Sequence, residues 1–180
     1  TPRIIRIKVS GKDKWVAVFG GGYNGAVNPD YGSAVFVMDL EDEGRLLKAI
    51  DIGDTSADIV NSLPADLSVI TADGTDKANY DGAIVYATDL EGKLTKINLT
   101  ENFSLICPSG KTCNKDTDKV IKNISATTLF IAESTSENGR YIYTRPEVTI
   151  NNDNKLWLYF GTGNTQKLHE QSSQPQNRVY

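Results

Sequence analysis

The sequence predicts an all-β fold, and within that class a β-propeller, from three observations. Short apolar runs rich in β-branched and aromatic residues recur along the 180-residue chain. Gly, Asp or Asn bounds each run, which is typical of strands joined by turns. Long amphipathic patterns that would predict helices are scarce. Internal matches recur at a spacing close to that of a propeller blade of about four strands.

The predicted strands follow one another along the whole chain. Continuous apolar runs at 15–19, 34–38 and 83–87 are typical of strands buried on both faces. Shorter or partly alternating runs predict the remaining strands, at 4–9, 94–99, 127–132, 141–144, 147–150 and 156–160. One helical turn is predicted at 56–63, where a Thr-Ser pair can cap the start and a proline follows the end.

Two internal matches define the repeated unit. Residues 32–41 (GSAVFVMDLE) match residues 82–91 (GAIVYATDLE), and a glycine, a basic residue and a leucine follow both segments. Residues 14–22 (KWVAVFGGG) match residues 155–163 (KLWLYFGTG) in the same way. The first offset is 50 residues and the second is 141, close to three units of 47. The chain therefore contains a unit of about four strands that is used more than once.

The blade count follows from this unit length. Thr1-Pro2-Arg3 and Thr144-Arg145-Pro146 also resemble each other, ahead of the second match. Each unit contains a buried strand, an Asp-Leu-Glu turn and a more alternating strand that moves outward. Residues 1–180 then form a single propeller region of about four blades, and we expect it to be a partial ring from a larger propeller.

Composition excludes several classes of function. The net charge is −4 and the 19 basic residues are scattered, so we expect no nucleic-acid partner. No apolar run approaches the ~18 residues of a membrane-spanning helix, which predicts a soluble chain. The single histidine, His169, lies in a polar stretch that would neither bury it nor shift its pKa. We therefore expect no catalytic residues and predict that the protein is not an enzyme.

The two cysteines predict a disulfide. Cys107 and Cys113 enclose Pro-Ser-Gly-Lys-Thr, a turn-forming segment that lets the thiols approach each other. Closing so short a loop stabilises by only about 2 kcal/mol, so the bridge would hold a loop rather than the fold. A disulfide indicates an oxidising compartment. The alternative is two unpaired thiols in the cytosol.

Six short motifs occur in order along the chain: Thr1-Pro2-Arg3, 18–23 (VFGGGY), 32–35 (GSAV), 86–94 (YATDLEGKL), 144–147 (TRPE) and 159–163 (YFGTG). Together they resemble the C-terminal domain of PilY/PilC-type proteins, which are type IV pilus biogenesis factors and tip adhesins. The resemblance implies a modified β-propeller that is exported to the pilus tip, the cell surface or the outer membrane. It also implies partners: pilus subunits or minor pilins, and a host or abiotic surface ligand.

The resemblance also implies a calcium loop. Family members often carry acidic or amide residues at loop positions 1, 3, 5 and 9, just before the Tyr-Ala-x-Asp-Leu strand. In the corresponding stretch, Asp73 and Asp81 stand at positions 1 and 9, but Thr75 and Lys77 stand at positions 3 and 5. Calcium needs about 6–8 oxygen ligands, and an ammonium group among them would repel the ion. Two interpretations remain: a rebuilt Ca²⁺ site of Asp73, Asp76 and Asp81, or a degenerate turn.

The leading hypothesis is a non-catalytic propeller of a pilus-associated adhesin or assembly factor, whose loops meet a surface or another pilus component. A second hypothesis is a quinoprotein-like dehydrogenase, since such enzymes are also propellers with similar blade turns. Their blades usually continue to a tryptophan, and Leu47 and Thr95 stand about where it would be. A third hypothesis is a soluble propeller that serves only as a scaffold for protein contacts.

Overall fold

The computed structural model describes residues 1–23, 32–53, 61–71, 82–135, 138–153, 155–165 and 177–180. These residues form thirteen β-strands and one 3₁₀ turn at Asp116–Asp118, with no α-helix. The prediction of an all-β fold is therefore confirmed. Within the same residues no helix is both long enough and apolar enough to cross a membrane.

The first sheet is a meander of four consecutive antiparallel strands, with a short fifth strand at its edge. Its order is β4-β3-β2-β1-β8, and β8 runs parallel to β1. The β1–β2 hairpin turns at Ser10 and Gly11, which both have left-handed backbone angles, as a two-residue hairpin turn requires. The strands are β1 (Arg3–Val9), β2 (Lys12–Gly20), β3 (Ala34–Asp39), β4 (Arg45–Asp51) and β8 (Asn102–Phe103).

The second sheet has four antiparallel strands in the order β11-β7-β6-β5. They are β5 (Ser68–Thr71), β6 (Ala83–Thr88), β7 (Lys93–Asn98) and β11 (Ser125–Ile131). Two small hairpins accompany the sheets. One of them, β12–β13, follows the last strand of the second sheet along the chain. The hairpin strands are β9 (Leu105–Ile106) with β10 (Val120–Ile121), and β12 (Glu147–Ile150) with β13 (Leu156–Tyr159).

One apolar cluster joins the two large sheets. Val16, Val18, Val35 and Val37 are fully buried in it, and strands β6 and β7 contribute as well. A second cluster lies between β6, β7 and the β12–β13 hairpin and contains Tyr86, Leu94, Ile142 and Phe160.

The expectation of burial on both faces is correct for only one of the two matched strands. In β6 every residue but one is buried, whereas in β3 buried and half-buried residues alternate. Ile84, expected in the core, is half-buried. The difference arises because β6 lies against both apolar clusters and β3 packs against only the first.

The internal sequence matches correspond to structural repeats. Met38 pairs with Leu46 across the first acidic turn, which begins with Asp39-Leu40-Glu41, and Thr88 pairs with Leu94 across the second, which begins with Asp89-Leu90-Glu91. The β12–β13 hairpin repeats the β1–β2 hairpin, although its connection is longer. The backbone of Phe160 also exchanges hydrogen bonds of 3.3 and 3.0 Å with Tyr180. The equivalent Phe19 pairs with Phe36 at the start of β3.

These repeats do not amount to a ring of equal blades. The described residues form two unequal sheets and two small hairpins, and one of the sheets is curled into half a barrel. The all-β class stands, while the propeller and its number of blades remain predictions.

The predicted strand at 141–144 is wrong, the predicted helical turn is wrong at residues 61–63, and five strands were not among the predicted runs. Residues 141–144 form no strand, because their backbone bonds to the turn at Asp89 and to Gly163 instead of to a partner strand. In the predicted helical turn, residues 61–63 are not helical and Leu63 forms a bridge with Gly22, while 56–60 lie outside the described residues. The strands missing from the predicted runs are β4, which has seven residues, and β5, β8, β9 and β10, which have two to four residues each.

Candidate functional site

The three aspartates predicted to bind calcium lie outside the described residues, as does His169. Asp73, Asp76 and Asp81 therefore keep the two interpretations that the sequence left open. Elsewhere, in the part of the chain that the structure describes, no group of three or more His, Cys, Asp or Glu side chains is arranged to hold a metal ion.

Cys107 and Cys113 are paired, as the sequence predicts. Their sulfur atoms are 2.19 Å apart and their Cα atoms 5.6 Å apart, so the pair has disulfide geometry. The bridge closes the connection between β9 and β10, and both cysteines lie at the surface of the molecule. It therefore holds an exposed loop, and the chain has no free cysteine.

The first acidic turn is built around a fully buried carboxylate. Asp39 is 0% exposed, and its Oδ1 accepts a hydrogen bond of 3.0 Å from the backbone N–H of Glu41. Its Oδ2 lies 2.7 Å from Nζ of Lys14 and 3.8 Å from a guanidinium nitrogen of Arg45. A buried charge needs such partners, and these hold the turn between β3 and β4 in place.

The second acidic turn repeats this design with different neighbours. Asp89 is also 0% exposed, and its Oδ1 accepts a hydrogen bond of 2.9 Å from the backbone N–H of Lys93. The Nζ of Lys93 lies 3.6 Å from Asp89 Oδ2 and 2.6 Å from Glu91 Oε2. The same ammonium donates to the backbone carbonyl of Ile52, 3.2 Å away, which connects the second sheet to the end of β4.

Burial dominates the ionisation of the second turn. It raises the pKa of Asp89 to about 7, because the charge of Lys93 offsets only part of the loss of hydration and Glu91 adds a like charge. Both acidic turns are closed by a basic residue of the same turn, Arg45 in the first and Lys93 in the second. Each aspartate is fully buried, and one of its carboxylate oxygens accepts a backbone N–H of its own turn, which holds the turn together.

A cluster of three tyrosines forms an aromatic surface beside the second acidic turn. We call Tyr23, Tyr141 and Tyr143 the tyrosine cluster. The ring centroids of Tyr23 and Tyr143 are 6.5 Å apart and those of Tyr141 and Tyr143 are 6.2 Å apart, both in edge-to-face geometry. Tyr23 is exposed and the other two rings are half-buried.

The backbone places these rings on one side. Ile142, between two of the tyrosines, is fully buried, and its N–H donates to the carbonyl of Asp89 over 3.4 Å. The N–H of Gly163 donates to the carbonyl of Tyr141 over 2.8 Å. Ile142 lies in the core, whereas the half-buried rings of Tyr141 and Tyr143 contact each other.

Close glycine contacts support this surface. A Cβ atom at Gly92 would lie 2.9 Å from the carbonyl oxygen of Arg140, the residue before Tyr141. A Cβ atom at Gly21 would lie 2.8 Å from the Cα of Gly32. Glycine is therefore required where the second acidic turn meets residue 140 and where β2 leads into Tyr23.

The chemistry of the cluster is that of a neutral aromatic binding surface. Burial raises the pKa of the Tyr143 phenol above its ordinary value of 10.0, and the nearby phenols of Tyr23 and Tyr141 raise it further. Such rings offer apolar faces for stacking and hydroxyl groups for hydrogen bonding.

Sequence reasoning did not identify the tyrosine cluster. The Tyr-Ile-Tyr alternation at 141–143 was available as a signal and was interpreted as a strand. The segment forms no strand, yet the rings of Tyr141 and Tyr143 are neighbours, and only the fold brings Tyr23, more than a hundred residues away, beside them.

Comparison of the chain with protein-family models, curated proteins and solved structures finds no match.

Proposed function

We propose that the chain is part of a non-catalytic β-propeller of a type IV pilus-associated adhesin or assembly factor. The observation that carries the proposal is the structural equivalence of the two motif pairs on which the resemblance rests. The two Asp-Leu-Glu turns join equivalent strands, and the two Phe-Gly-x-Gly segments follow equivalent hairpins. These motifs are architectural, so their repetition supports a fold built from repeated units.

The tyrosine cluster is the surface that we propose for adhesion. It combines exposed and half-buried rings with backbone that is held by Ile142 and by two close glycine contacts. A rigid scaffold that presents loop residues is the usual design of a binding site. The proposed partners are a host or abiotic surface ligand for this cluster and pilus subunits or minor pilins elsewhere.

Export is the proposed route of the protein, with a final location at the pilus tip, the cell surface or the outer membrane. The Cys107–Cys113 pair supports export, since disulfides persist in oxidising compartments.

Calcium remains a proposed ligand of Asp73, Asp76 and Asp81. A bound ion stabilises the folded chain by about 2.7 kcal/mol at a hundredfold excess over Kd. Thermal unfolding with millimolar calcium and with chelator measures this effect. A rise in Tm with calcium that Asp73→Ala abolishes and the exposed-site control Asp153→Ala retains supports the site, whereas coincident curves reject it.

A piliation and attachment experiment tests the function. In the bacterium that encodes the chain, in-frame deletion of the region should reduce both surface pili and attachment. Replacing Tyr141 and Tyr143 together by alanine should reduce attachment and leave the number of pili unchanged. Tyr159→Ala, which removes an exposed tyrosine outside the cluster, should change neither. Normal piliation and attachment in the deletion strain would refute the proposal.

The two rival functions have their own readouts. Leu47 and Thr95, which stand where quinoprotein blades carry tryptophan, are both buried within strands. Binding of pyrroloquinoline quinone with turnover of an alcohol by the purified protein would favour the dehydrogenase. A protein partner unconnected with pili, together with a deletion strain of normal piliation, would favour the scaffold.

A further inference from the structure

A cleft runs between the second sheet and the β12–β13 hairpin. We call it the edge cleft; its volume is about 380 Å³, within the ~300–1,000 Å³ range of ligand sites. Ser68, Val69 and Ile70 of β5 line one side, and four consecutive residues, Glu147 to Ile150 of β12, line the other. Alternate residues of a strand point to opposite faces, so a cleft touched by consecutive residues lies along strand edges.

The first sheet shows that the equivalent strand edge can pair with a further strand. In the first sheet, β2 pairs with β3 on one edge and with β1 on the other. In the second sheet, β5 is the equivalent of β2 and pairs with β6, but none of the described strands covers its other edge. The edge cleft lies along this open edge. Unpaired backbone N–H and C=O groups at such an edge can pair with an added strand.

One end of the edge cleft is closed. The hydroxyl of Ser68, the first residue of β5, donates to the carbonyl of Pro146, which directly precedes β12. Strands β5 and β12 both begin at this contact and extend away from it. A peptide that lies between them therefore has to end at the contact.

Two arginines lie at the closed end. Arg145 precedes Pro146 and lines the cleft, and its Nη2 lies 2.9 Å from Glu147 Oε1. Arg3 also lines the cleft and interacts electrostatically with Asp66, two residues before Ser68. The Nε of Arg3 is buried and has no hydrogen-bond partner among the described residues. A buried donor without a partner is costly, and an anionic acceptor would satisfy it.

The geometry points to a binding site for the C-terminal end of an extended peptide in the edge cleft. The peptide adds as a strand to the open edge of β5, and its terminal carboxylate lies between the guanidinium groups of Arg3 and Arg145. Arg3 is the first residue of β1 and Arg145 lies two residues before β12, so one cation lies near the start of each hairpin. This site does not depend on the proposed pilus function.

The test uses two pentapeptides, N-acetylated Thr-Val-Thr-Val-Val with a free carboxylate and the same peptide as an amide. Titration into ¹⁵N-labelled protein should shift the backbone amide signals of β5 and β12, and the free acid should bind at least about tenfold tighter than the amide. A free-acid peptide with proline at the fourth position should bind weakly, because it lacks a strand N–H.

Variants of the protein assign the carboxylate. Arg3→Gln and Arg145→Gln should each reduce binding of the free acid about tenfold, towards the level of the amide. Lys111→Gln removes the same charge from the exposed disulfide loop and should leave binding unchanged. Glu147→Gln should strengthen binding, because it releases Arg145 from its ion pair.

Three results would overturn the site. One is equal binding of the free acid and the amide. Another is the absence of shifts in β5 and β12 at millimolar free-acid peptide. The third is that sodium acetate reproduces the shifts at the same concentration, which would make the cleft a site for small anions only.

Discussion

Asp39 and Asp89 occupy the same place in two repeats and are equally buried, but their neighbours differ. Asp39 has an ammonium group 2.7 Å away and a guanidinium group at 3.8 Å. Among the described residues, the cation paired with Asp89 is Lys93, 3.6 Å away, and that ammonium group lies closer to Glu91. Two carboxylates therefore share one buried cation in the second turn. Burial is the main cause of the raised pKa of Asp89; Lys93 offsets only part of it, and the like charge of Glu91 adds to it.

The raised pKa makes stability depend on pH in a definite direction. In the folded protein the pKa of Asp89 is about 7, whereas the ordinary pKa of an aspartate is 3.8. The contribution of this group is therefore complete below pH 3.8 and is lost as the pH rises through 7. From pH 5 to pH 8 the free energy of unfolding should fall by on the order of 2–3 kcal/mol, at about 1.4 kcal/mol per pKa unit.

Replacing the acid should flatten this dependence. Asp89→Asn keeps the oxygen that accepts from the Lys93 N–H and removes the charge, so it should lose less stability than the parent protein between pH 5 and pH 8. Urea unfolding at both pH values measures this, with the exposed Asp153→Asn as the control. Equal losses in the parent protein and Asp89→Asn would show that burial does not control this group.

At the scale of elements, the two acidic turns end in glycines with different surroundings. Gly44 and Gly92 both have left-handed φ angles, of 74° and 80°. A Cβ at Gly44 would meet nothing within 4 Å, whereas a Cβ at Gly92 would lie 2.9 Å from both Ala132 Cβ and the Arg140 carbonyl oxygen. The second turn therefore carries a packing constraint that its counterpart lacks.

A pair of alanine substitutions isolates this constraint. Gly44→Ala should cost about 1–2 kcal/mol for the left-handed backbone alone. Gly92→Ala should cost about 1–3 kcal/mol more, because residue 140 has to move away. Urea unfolding measures both, and equal costs would contradict the close approach. Only Gly92→Ala should also disturb the tyrosine cluster, which the aromatic NMR signals of Tyr141 and Tyr143 would report.

The disulfide loop is an element whose loss the fold should survive. Changing Cys107 and Cys113 together to serine should lower the free energy of unfolding by about 2 kcal/mol, since the closed loop is short. The far-UV circular dichroism spectrum should remain unchanged. Adding reductant to the parent protein should lower its free energy of unfolding by the same amount. Two free thiols detected by mass spectrometry in periplasmically produced protein would refute the pairing.

At the scale of the whole molecule, the two sheets share one apolar core. Ile97 of β7 is fully buried in that core, whereas Ile131 of the adjacent strand β11 is 51% exposed. Burial rather than membership of the sheet should therefore determine the cost of losing an isoleucine side chain.

The matched pair Ile97→Ala and Ile131→Ala tests the shared core. Ile97→Ala should cost about 2–5 kcal/mol and should lower the stability of both sheets in one transition. Ile131→Ala should stay within about 0.5 kcal/mol of the parent protein. Hydrogen exchange in β2 and β7 should accelerate together in Ile97→Ala, and acceleration confined to the second sheet would mean that the sheets unfold independently.

Elements that depend on residues close together in the chain were predictable from the sequence, whereas elements that depend on distant residues were not. The strands at 34–38 and 83–87 were predictable because their apolar runs are long, local and repeated. Strands β8 to β10 have two residues each and exist only through pairing with distant segments. The segment 141–144 has the alternation of a strand, but its backbone hydrogen-bonds to a distant turn. A local sequence pattern contains no information about such a partner.

The sequence by itself determined the all-β class, the repeated Asp-Leu-Glu turns and the pairing of Cys107 with Cys113, because these depend on local residue preferences and short loops. Tertiary structure alone decided which distant residues meet: Tyr23 with Tyr143, and Arg3 with Arg145 at the edge cleft. It also decided that Asp89 is buried with a pKa of about 7. The charged neighbours of Asp89 lie in its own turn, but its desolvation depends on segments far away in the chain that pack against the turn, such as residue 142, whose N–H donates to the Asp89 carbonyl.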